Sequence, residues 1–334
     1  MGMDRRNFLK AASGGTLAAS CVPSVQARET RTMPEGAVGL LYDGTLCIGC
    51  RACMAACKAE NDLPPEFNEI EGSAYWDAPL DLSGRTINII KAYVGGDSDR
   101  KDTLDGYAFT KLSCFHCVDA SCVSCCPVAA MTKDPVTGIV SHSKEACIGC
   151  RYCVAACPFG VPRFTYDETF PHIAKCQLCR HRMAQGKFAA CAEVCPTGAT
   201  IYGPVKELKK EIARRRALAP GTETEFPRGH IGSGDTHIAP IANYVDHVWG
   251  EKEIGGTQVL HLSAVPFDRL DKKPLPDVAP ANVSESLQGR IYHGMIAPLA
   301  FLGALVFAAK RSAKALGEQG EAGGTDAGDD RKGE

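Results

Sequence analysis

Sixteen of the eighteen cysteines form four groups of four, and their spacing is the feature of this sequence that could do chemistry. The first and third groups have two, two and three residues between successive cysteines. The second has two, four and three, and the fourth has two, eleven and three. All but the first group end on a proline. The groups are Cys47, Cys50, Cys53 and Cys57; Cys114, Cys117, Cys122 and Cys126; Cys147, Cys150, Cys153 and Cys157; and Cys176, Cys179, Cys191 and Cys195.

This spacing predicts 4Fe-4S clusters. In the bacterial ferredoxin pattern, three closely spaced cysteines hold one cluster and a fourth, followed by proline, reaches a second cluster. A tetrahedral zinc site uses two separated pairs, so the third cysteine of each group would have no role in it. Cysteines crowded into one turn cannot mostly meet the Cα separation and dihedral angle that a disulfide requires. Iron is therefore favoured over zinc and over a disulfide framework.

An internal repeat supports this interpretation. The segment from Cys47 to Cys57 reappears one hundred residues later as Cys147 to Cys157, and only two of its eleven positions differ. Such self-similarity indicates duplicated units. In each unit we expect a cysteine loop that leads into a short helix starting near the third cysteine of the group.

Residues inside the repeated loops can adjust a cluster's reduction potential. We expect the side chains of Ile48, Ile148 and Val154 to exclude water from the sulfur atoms. The backbone amides of Gly49 and Gly149 are placed to donate hydrogen bonds to those sulfurs.

The elements between and after the cysteines read as mixed helix and strand. Residues 134–138 predict a turn ahead of a strand at 139–140. Residues 72–104 read as a surface insertion that holds one strand, 85–94, and a second strand is predicted at 257–265. A helix over 205–218 is dense in Lys and Arg, which makes it either a solvated helix face or a docking surface for an acidic partner.

Three further residues invite an interpretation. Cys125 competes with Cys126 as a ligand, but only Cys126 keeps the three-residue gap and the following proline, so Cys125 reads as a small buried side chain. His116, inside the second group, reads as a polar neighbour of a cluster rather than a ligand. Cys21 lies near the N-terminus and could be lipidated. We find no catalytic constellation.

Composition excludes nucleic acid as a partner. The chain has 334 residues, of which 45% are hydrophobic, enough to bury a core. Its 37 basic and 39 acidic residues give a formal charge of -2, so no uniform positive field is present to hold phosphate backbones.

The N-terminus resembles a twin-arginine export signal. Arg5 and Arg6 precede a mildly apolar run, and Ala27 follows small residues at the expected cleavage point. We expect residues 1–27 to be removed, and the receptor for such signals accepts folded proteins. The alternative is an amphipathic N-terminal helix.

The C-terminal region predicts one membrane span. Residues 291–309 are apolar apart from His293, and at 1.5 Å per residue a helix of that length matches a bilayer core of about 30 Å. Lys310, Arg311 and Lys314 favour a cytoplasmic C-terminus. The alternative is a buried core helix. Residues 311–334 read as a disordered cytoplasmic tail.

Taken in order, the four cysteine groups resemble the four-cluster iron-sulfur subunits of formate dehydrogenase, dimethyl-sulfoxide reductase and polysulfide reductase. The resemblance covers roughly residues 39–203. The segments 249–260 and 292–300, together with the start at Arg5, narrow the resemblance to the HybA-type subunit of hydrogenase-2-type nickel-iron hydrogenases. Lys58, where the other groups have proline, and the extra Cys125 depart from the family pattern without removing a ligand.

The resemblance implies how the cysteines are shared among four 4Fe-4S clusters. It implies an α+β fold of two ferredoxin-like units, one inserted in the other: an outer unit of residues 28–105 and 167–204, and an inner unit of 106–166. Residues 205–289 would form an extramembrane region and 290–310 the transmembrane helix. The implied ligand sets are Cys47, Cys50, Cys53 with Cys195; Cys176, Cys179, Cys191 with Cys57; Cys114, Cys117, Cys122 with Cys157; and Cys147, Cys150, Cys153 with Cys126.

The resemblance further implies a non-catalytic electron relay on the periplasmic face of the inner membrane. Its partners would be the large and small subunits of a nickel-iron hydrogenase and an integral membrane quinone-reactive subunit. A relay for formate dehydrogenase or another molybdenum enzyme is the alternative within the same class. A zinc-scaffolded interaction module and a self-contained reductase are the alternatives from other classes.

Overall fold

A computed structural model describes residues 28–66 and 79–322, with side chains as far as Arg311. The predicted signal peptide, Cys21 and residues 323–334 lie outside this range. The strands are β1 Val38–Asp43, β2 Ile89–Val94, β3 Tyr107–Leu112, β4 Met131–Lys133, β5 Val140–His142, β6 Arg163–Phe164, β7 Ile173–Ala174, β8 Thr200–Pro204, β9 Glu223–Pro227, β10 Thr236–Pro240 and β11 Val259–Leu262. The α-helices are α1 Ala52–Glu60, α2 Ser121–Ser124, α3 Tyr152–Ala156, α4 Arg180–Met183, α5 Ala190–Glu193, α6 Val205–Ala217 and α7 Pro280–Ala322. Two 3₁₀ turns lie at Glu253–Gly255 and Phe267–Leu270.

The architecture is mixed α and β, as expected for the fold class. By contacts, the described residues divide into two compact units, Glu29–Asn282 and a second that comprises Arg28 and the residues from Val283 onward. Within the first unit the strands form one three-stranded sheet and four two-stranded pairs.

The three-stranded sheet forms the base of the first unit. Its central strand β1 runs parallel to β11 and antiparallel to β8. Leu208 and Ile212 of α6 pack on this sheet against Leu41 and Ile201. At Gly39 a side chain has no room, because an added Cβ would lie 1.8 Å from the carbonyl oxygen of Gln258. The sheet thus holds the chain segments before the first and after the last cysteine group side by side.

The segment predicted as a surface insertion is only partly on the surface. Strand β2 pairs with β3 in an antiparallel ladder, and Ile89 and Ile90 are buried. Asn88 donates a hydrogen bond from Nδ2 to the carbonyl oxygen of Cys53, at 2.9 Å. The prediction of a surface insertion is therefore wrong for this strand, because apolar residues at its start pack against the first cysteine loop.

The predicted turn after the second cysteine group is confirmed. The side-chain oxygen of Asp134 accepts hydrogen bonds from the backbone amides of Val136 and Thr137, at 3.0 and 2.6 Å. Those bonds close the turn that joins β4 to β5.

The basic helix is built around a buried ion-pair network. Arg215 and Asp43 are both fully buried, and the guanidinium lies 2.9 Å from the carboxylate. Asp43 also accepts a hydrogen bond from the hydroxyl of Tyr244, at 2.7 Å. Arg215 contacts Glu211 as well, at 2.8 Å. A solvated helix face is therefore the wrong interpretation for Arg215, since the tertiary fold uses it to tie α6 to β1.

Removing this arginine should destabilise the protein strongly. Substitution of Arg215 by Met leaves the carboxylate of Asp43 buried without its cation, and we expect a loss of about 3–5 kcal/mol in the free energy of unfolding. The midpoint of urea unfolding measures the change. Arg216→Met is the matched control, because Arg216 pairs with the fully exposed Asp246 and should cost at most about 1 kcal/mol. Equal midpoints for the two variants would contradict this assignment.

The C-terminal helix α7 is longer than the predicted span. It runs from Pro280 to Ala322. Its segment Pro280–Arg311 is long and apolar enough to cross a membrane, and the most apolar part of that segment is not buried against the protein. The prediction of disorder is wrong for residues 311–322, whose backbone is helical. Three Ala and two Glu, together with one each of Leu, Lys and Gln, have high helix propensity and outweigh the two Gly of this stretch, so they prolong a helix already nucleated by the apolar run.

Candidate functional site

Two cavities in the first unit are each lined by four cysteines. One is lined by a group we call set A. The other is lined by a group we call set B. Both combine three cysteines of one sequence group with the last cysteine of a distant group. Set A is Cys47, Cys50, Cys53 and Cys195, and set B is Cys57, Cys176, Cys179 and Cys191.

The remaining cysteines form two further sets beside each other. Besides burial, the thiolates of Cys157, Cys114 and Cys122 raise the pKa of Cys117, so these four cysteines lie close together. We call them set C. In the same way, the thiolates of Cys147, Cys126 and Cys150 raise the pKa of Cys153. We call these four cysteines set D. Cys125 also acts on Cys153 and is half-buried, not fully buried as predicted. The structure thus brings all sixteen predicted residues into four sets, with Cys125 and Cys126 both beside the fourth.

The four sets lie in a row. Cys53 of set A is close enough to Cys191 of set B for their charges to interact. Cys176 of set B interacts in the same way with Cys114 of set C. Cys125 lies near both Cys157 of set C and Cys150 of set D, whose charges raise its pKa in addition to burial. The spatial order is therefore A, B, C, D, which differs from the order of the groups along the chain.

Buried thiols dominate the chemistry of these sets. Burial raises the pKa of Cys53 to about 12 and that of Cys176 to about 12, and neighbouring thiolates act in the same direction on both. Burial also raises the pKa of Cys57 and of Cys117 well above the usual range. Four thiolates in one buried cavity repel each other unless a multiply charged cation binds between them. Soft thiolate donors in such sets fit iron-sulfur clusters.

Hydrogen bonds to the cysteine sulfur atoms come from backbone amides and from several side chains, among them Asn61 and Lys175. The Gly149 amide lies 3.5 Å from the Cys147 sulfur. In the equivalent loop, burial raises the pKa of Cys47 and a hydrogen bond from the Gly49 amide opposes that rise. The prediction for both glycines is confirmed. Gly49 has a positive φ of 70°, and an added Cβ would lie 2.4 Å from the ring of Phe109. The hydroxyl of Tyr42 lies beside Cys47 and partly offsets the effect of burial on the pKa of that thiol. These donors favour the charged form of each sulfur.

The ends of the row reach the surface. Cys50 in set A is exposed and Cys150 in set D is half-buried. Ile48 and Ile148 are 56% and 65% exposed, so the prediction that they exclude water is wrong. In each loop the isoleucine that follows the first cysteine lies at the surface of the turn. Val154 is half-buried.

His116 lies among the buried residues of the second group. Its Nδ1 accepts a hydrogen bond from the backbone amide of Val140, at 3.0 Å. Burial holds the pKa of His116 well below its usual range, and the charges of Lys175 and Lys133 add to the effect. The imidazole is therefore neutral, and its place agrees with the predicted role of a polar neighbour.

Three lysines beside the cysteine sets were not predicted from the sequence. Burial alone would lower the pKa of Lys111, but the thiolates of Cys191 and Cys53 outweigh burial and raise it. Lys175 is buried near Cys114. Burial lowers the pKa of Lys133 to about 8. Lys111 could have been noticed as a charge in an otherwise β-forming segment, 107–112, next to a cysteine group.

Within residues 28–66 and 79–322, no three His, Cys, Asp or Glu side chains lie close enough together to hold a single metal ion.

Comparison with known proteins agrees with this geometry. Residues 106–205 match the family described as 4Fe-4S dicluster domain. The chain is 45% identical over 319 residues to "Hydrogenase-2 operon protein HybA" of Escherichia coli O157:H7, which covers 93% of this chain and 96% of that protein.

More distant relatives are iron-sulfur subunits of other enzymes. The chain is 32% identical over 249 residues to "Formate dehydrogenase, nitrate-inducible, iron-sulfur subunit" of Escherichia coli K12, covering 74% of this chain and 79% of that one. It is also 32% identical over 288 residues to "Formate dehydrogenase-O iron-sulfur subunit" of the same strain, covering 86% of this chain and 84% of that one.

The fold and the cysteine sets define an iron-sulfur electron-transfer protein that is not catalytic on its own. Within that class, the chain belongs to the HybA family.

Proposed function

We propose that this chain carries four 4Fe-4S clusters, one in each of sets A to D, and relays electrons along the row that they form. The observation that carries the proposal is a pair of cavities. Each is lined by three cysteines of one sequence group and the last cysteine of a distant group. That exchange is the ferredoxin pattern, in which the fourth cysteine serves the neighbouring cluster. Each bound cluster supplies one-electron exchange.

The residues of the chain hold the clusters and control their surroundings. The sixteen cysteines of the four sets are the proposed ligands. The loop amides donate to sulfur. The rings of Phe115 and Phe159, stacked at 4.3 Å, follow Cys114 and Cys157 of set C closely in the chain. At the two ends, the exposed loops of sets A and D offer electrons a route to partners.

The proposed domain division follows from the crossing of cysteines. An outer ferredoxin-like unit, 28–105 and 167–204, would hold sets A and B, and an inner unit, 106–166, would hold sets C and D. Each ligand set then lies within one unit. The β4–β5 hairpin in the inner unit and the β1–β8 pair in the outer one are compatible with ferredoxin-like halves.

The proposed partners are the large and small subunits of a nickel-iron hydrogenase and an integral membrane quinone-reactive subunit. The name of the relative at 45% identity supports the hydrogenase. A transmembrane segment at 290–310, within α7, would hold the chain on the periplasmic face of the inner membrane. Residues 1–27, as a twin-arginine signal, would export it folded. An electron relay for formate dehydrogenase is the second candidate, supported by 32% identity over 79% of that subunit.

The metal content of the native complex tests this proposal. We expect a complex purified from membranes through a tag on this chain to contain nickel and to lack molybdenum. The chain isolated from that complex should hold about sixteen iron atoms, four for each of four 4Fe-4S clusters. Molybdenum without nickel would favour the formate dehydrogenase relay, and a colourless chain with zinc would refute both.

A further inference from the structure

Two buried lysines lie beside the cysteine sets without a carboxylate partner. Lys111 is 1% exposed and Lys175 is 4% exposed. In the described ranges the hydrogen-bond partners of both ammonium groups are uncharged oxygens and sulfur. Lys111 donates to the hydroxyl of Thr200 at 3.2 Å. Lys175 donates to the carbonyl oxygens of Val140 and Cys176, at 2.5 and 2.8 Å.

Such a burial is costly by itself. An ammonium ion removed from water loses several kcal/mol of solvation, and neutral oxygens restore only part of it. Buried lysines are therefore rare unless a negative charge lies nearby. Within the described structure, the negative charge near both lysines is that of the cysteine thiolates.

The positions of the two lysines follow the row. Lys111 donates to Thr200, which lines the cavity of set A. The thiolates of Cys191 in set B and Cys53 in set A both stabilise its charge, so Lys111 lies between these two sets. The ammonium of Lys175 lies 3.7 Å from the sulfur of Cys114 in set C, and it also binds the backbone of Cys176 in set B. One cation thus lies at each of the first two junctions of the row.

We propose that Lys111 and Lys175 are fixed counter-charges that raise the reduction potentials of the clusters on either side of them. This inference rests on the proposed function, because it assigns a cluster to each cysteine set. A reduced cluster carries one more negative charge than an oxidised one, so a nearby cation stabilises the reduced form. Inside the protein the interaction is much less screened than in water. Set B, with a lysine on each side, receives both contributions.

Substitution by glutamine tests the charge. In Lys111→Gln the midpoint potentials of the clusters in sets A and B should fall, and in Lys175→Gln those of the clusters in sets B and C. One of the four potentials, that of set B, should therefore fall in both variants. We expect each shift to reach at least about 59 mV, a tenfold change in a one-electron equilibrium. Redox titration of the purified, cluster-loaded protein, followed by electron paramagnetic resonance, measures all four. Lys91→Gln is the control, because Lys91 is on the adjacent strand and pairs with Asp81 and Asp271 at the surface.

Iron and acid-labile sulfide analysis separates this inference from the proposed function. Fewer than four clusters in the parent protein would refute the proposed function. Four clusters in the glutamine variants, with all potentials equal to those of the parent, would overturn the inference alone.

The arginine variants cover the case in which a neutral side chain prevents cluster assembly. If glutamine variants lose clusters while Lys111→Arg and Lys175→Arg keep four clusters at potentials near those of the parent, the charge is what the site requires. Loss of clusters in the arginine variants as well would show that side-chain shape, not charge, is required, and would overturn the proposal.

Discussion

Substitution of Cys157 by Ser is expected to damage the cluster of set C, although the neighbours of Cys157 in sequence belong to set D. The charge of the Cys157 thiolate contributes to the raised pKa of Cys117 and of Cys122, and the charge of Cys114 contributes to that of Cys157. Cys157 therefore lies close to the cysteines of set C. Serine is a poor ligand for iron, so that cluster should be lost or converted to a form with fewer irons. The purified variant should lack up to about a quarter of its iron.

The assignment is checked by the electron paramagnetic resonance spectrum of the reduced variant. Cys125→Ser is the matched control: Cys125 lies between the same two sets, but we do not propose it as a ligand, so this variant should keep all four signals. Cys114→Ser should remove the same signal as Cys157→Ser. If Cys157→Ser instead removes the signal that Cys147→Ser removes, the crossing of ligands between sets C and D is wrong.

Truncation of the chain before Arg290 is expected to release the protein from the membrane with its clusters intact. No proposed ligand lies beyond Cys195, whereas the removed segment contains most of the apolar part of α7. The most apolar part of Pro280–Arg311 is not buried within the protein. Exposing that surface to water is unfavourable by roughly 25 cal/mol for each Å² of apolar area, which favours insertion into lipid.

Fractionation without the partner subunits measures this effect directly. The truncated chain should move from the membrane to the soluble fraction with about sixteen iron atoms. In the complete complex, hydrogen-dependent reduction of quinone should fall sharply, while reduction of a soluble dye should persist. A chain truncated before Ser312, which keeps the span and loses the tail, is the control and should stay in the membrane. Membrane retention of the shorter chain, with quinone reduction unchanged, would exclude the anchor.

Local sequence determined the features that depend on neighbouring residues. The four cysteine groups, the helices that begin beside Cys53 and Cys153, and the turn at Asp134 follow from spacing and from turn chemistry within a few residues. The apolar helix and the helix over Val205–Ala217 were equally predictable, because each is a continuous pattern along one element. These features need no knowledge of what packs against them.

Tertiary structure decided which charges are buried and which apolar residues are not. Arg214, Arg215 and Arg216 look alike in sequence, yet only Arg215 is fully buried, because Asp43 lies opposite it from a strand far away in the chain. Ile48 looks like a core residue and is exposed. A pattern along the chain carries no information about the partner that a side chain meets across the fold.

The arrangement of the cysteine sets has the same character. The spacing within one group predicts that three cysteines act together, since the turn that joins them is local. Neither the neighbour that supplies the fourth thiol, such as Cys195 beside Cys47, nor the burial of Lys111 between two sets can be derived from that spacing. Both depend on distances closed by the central sheet, which brings the beginning and the end of the cysteine-rich region together.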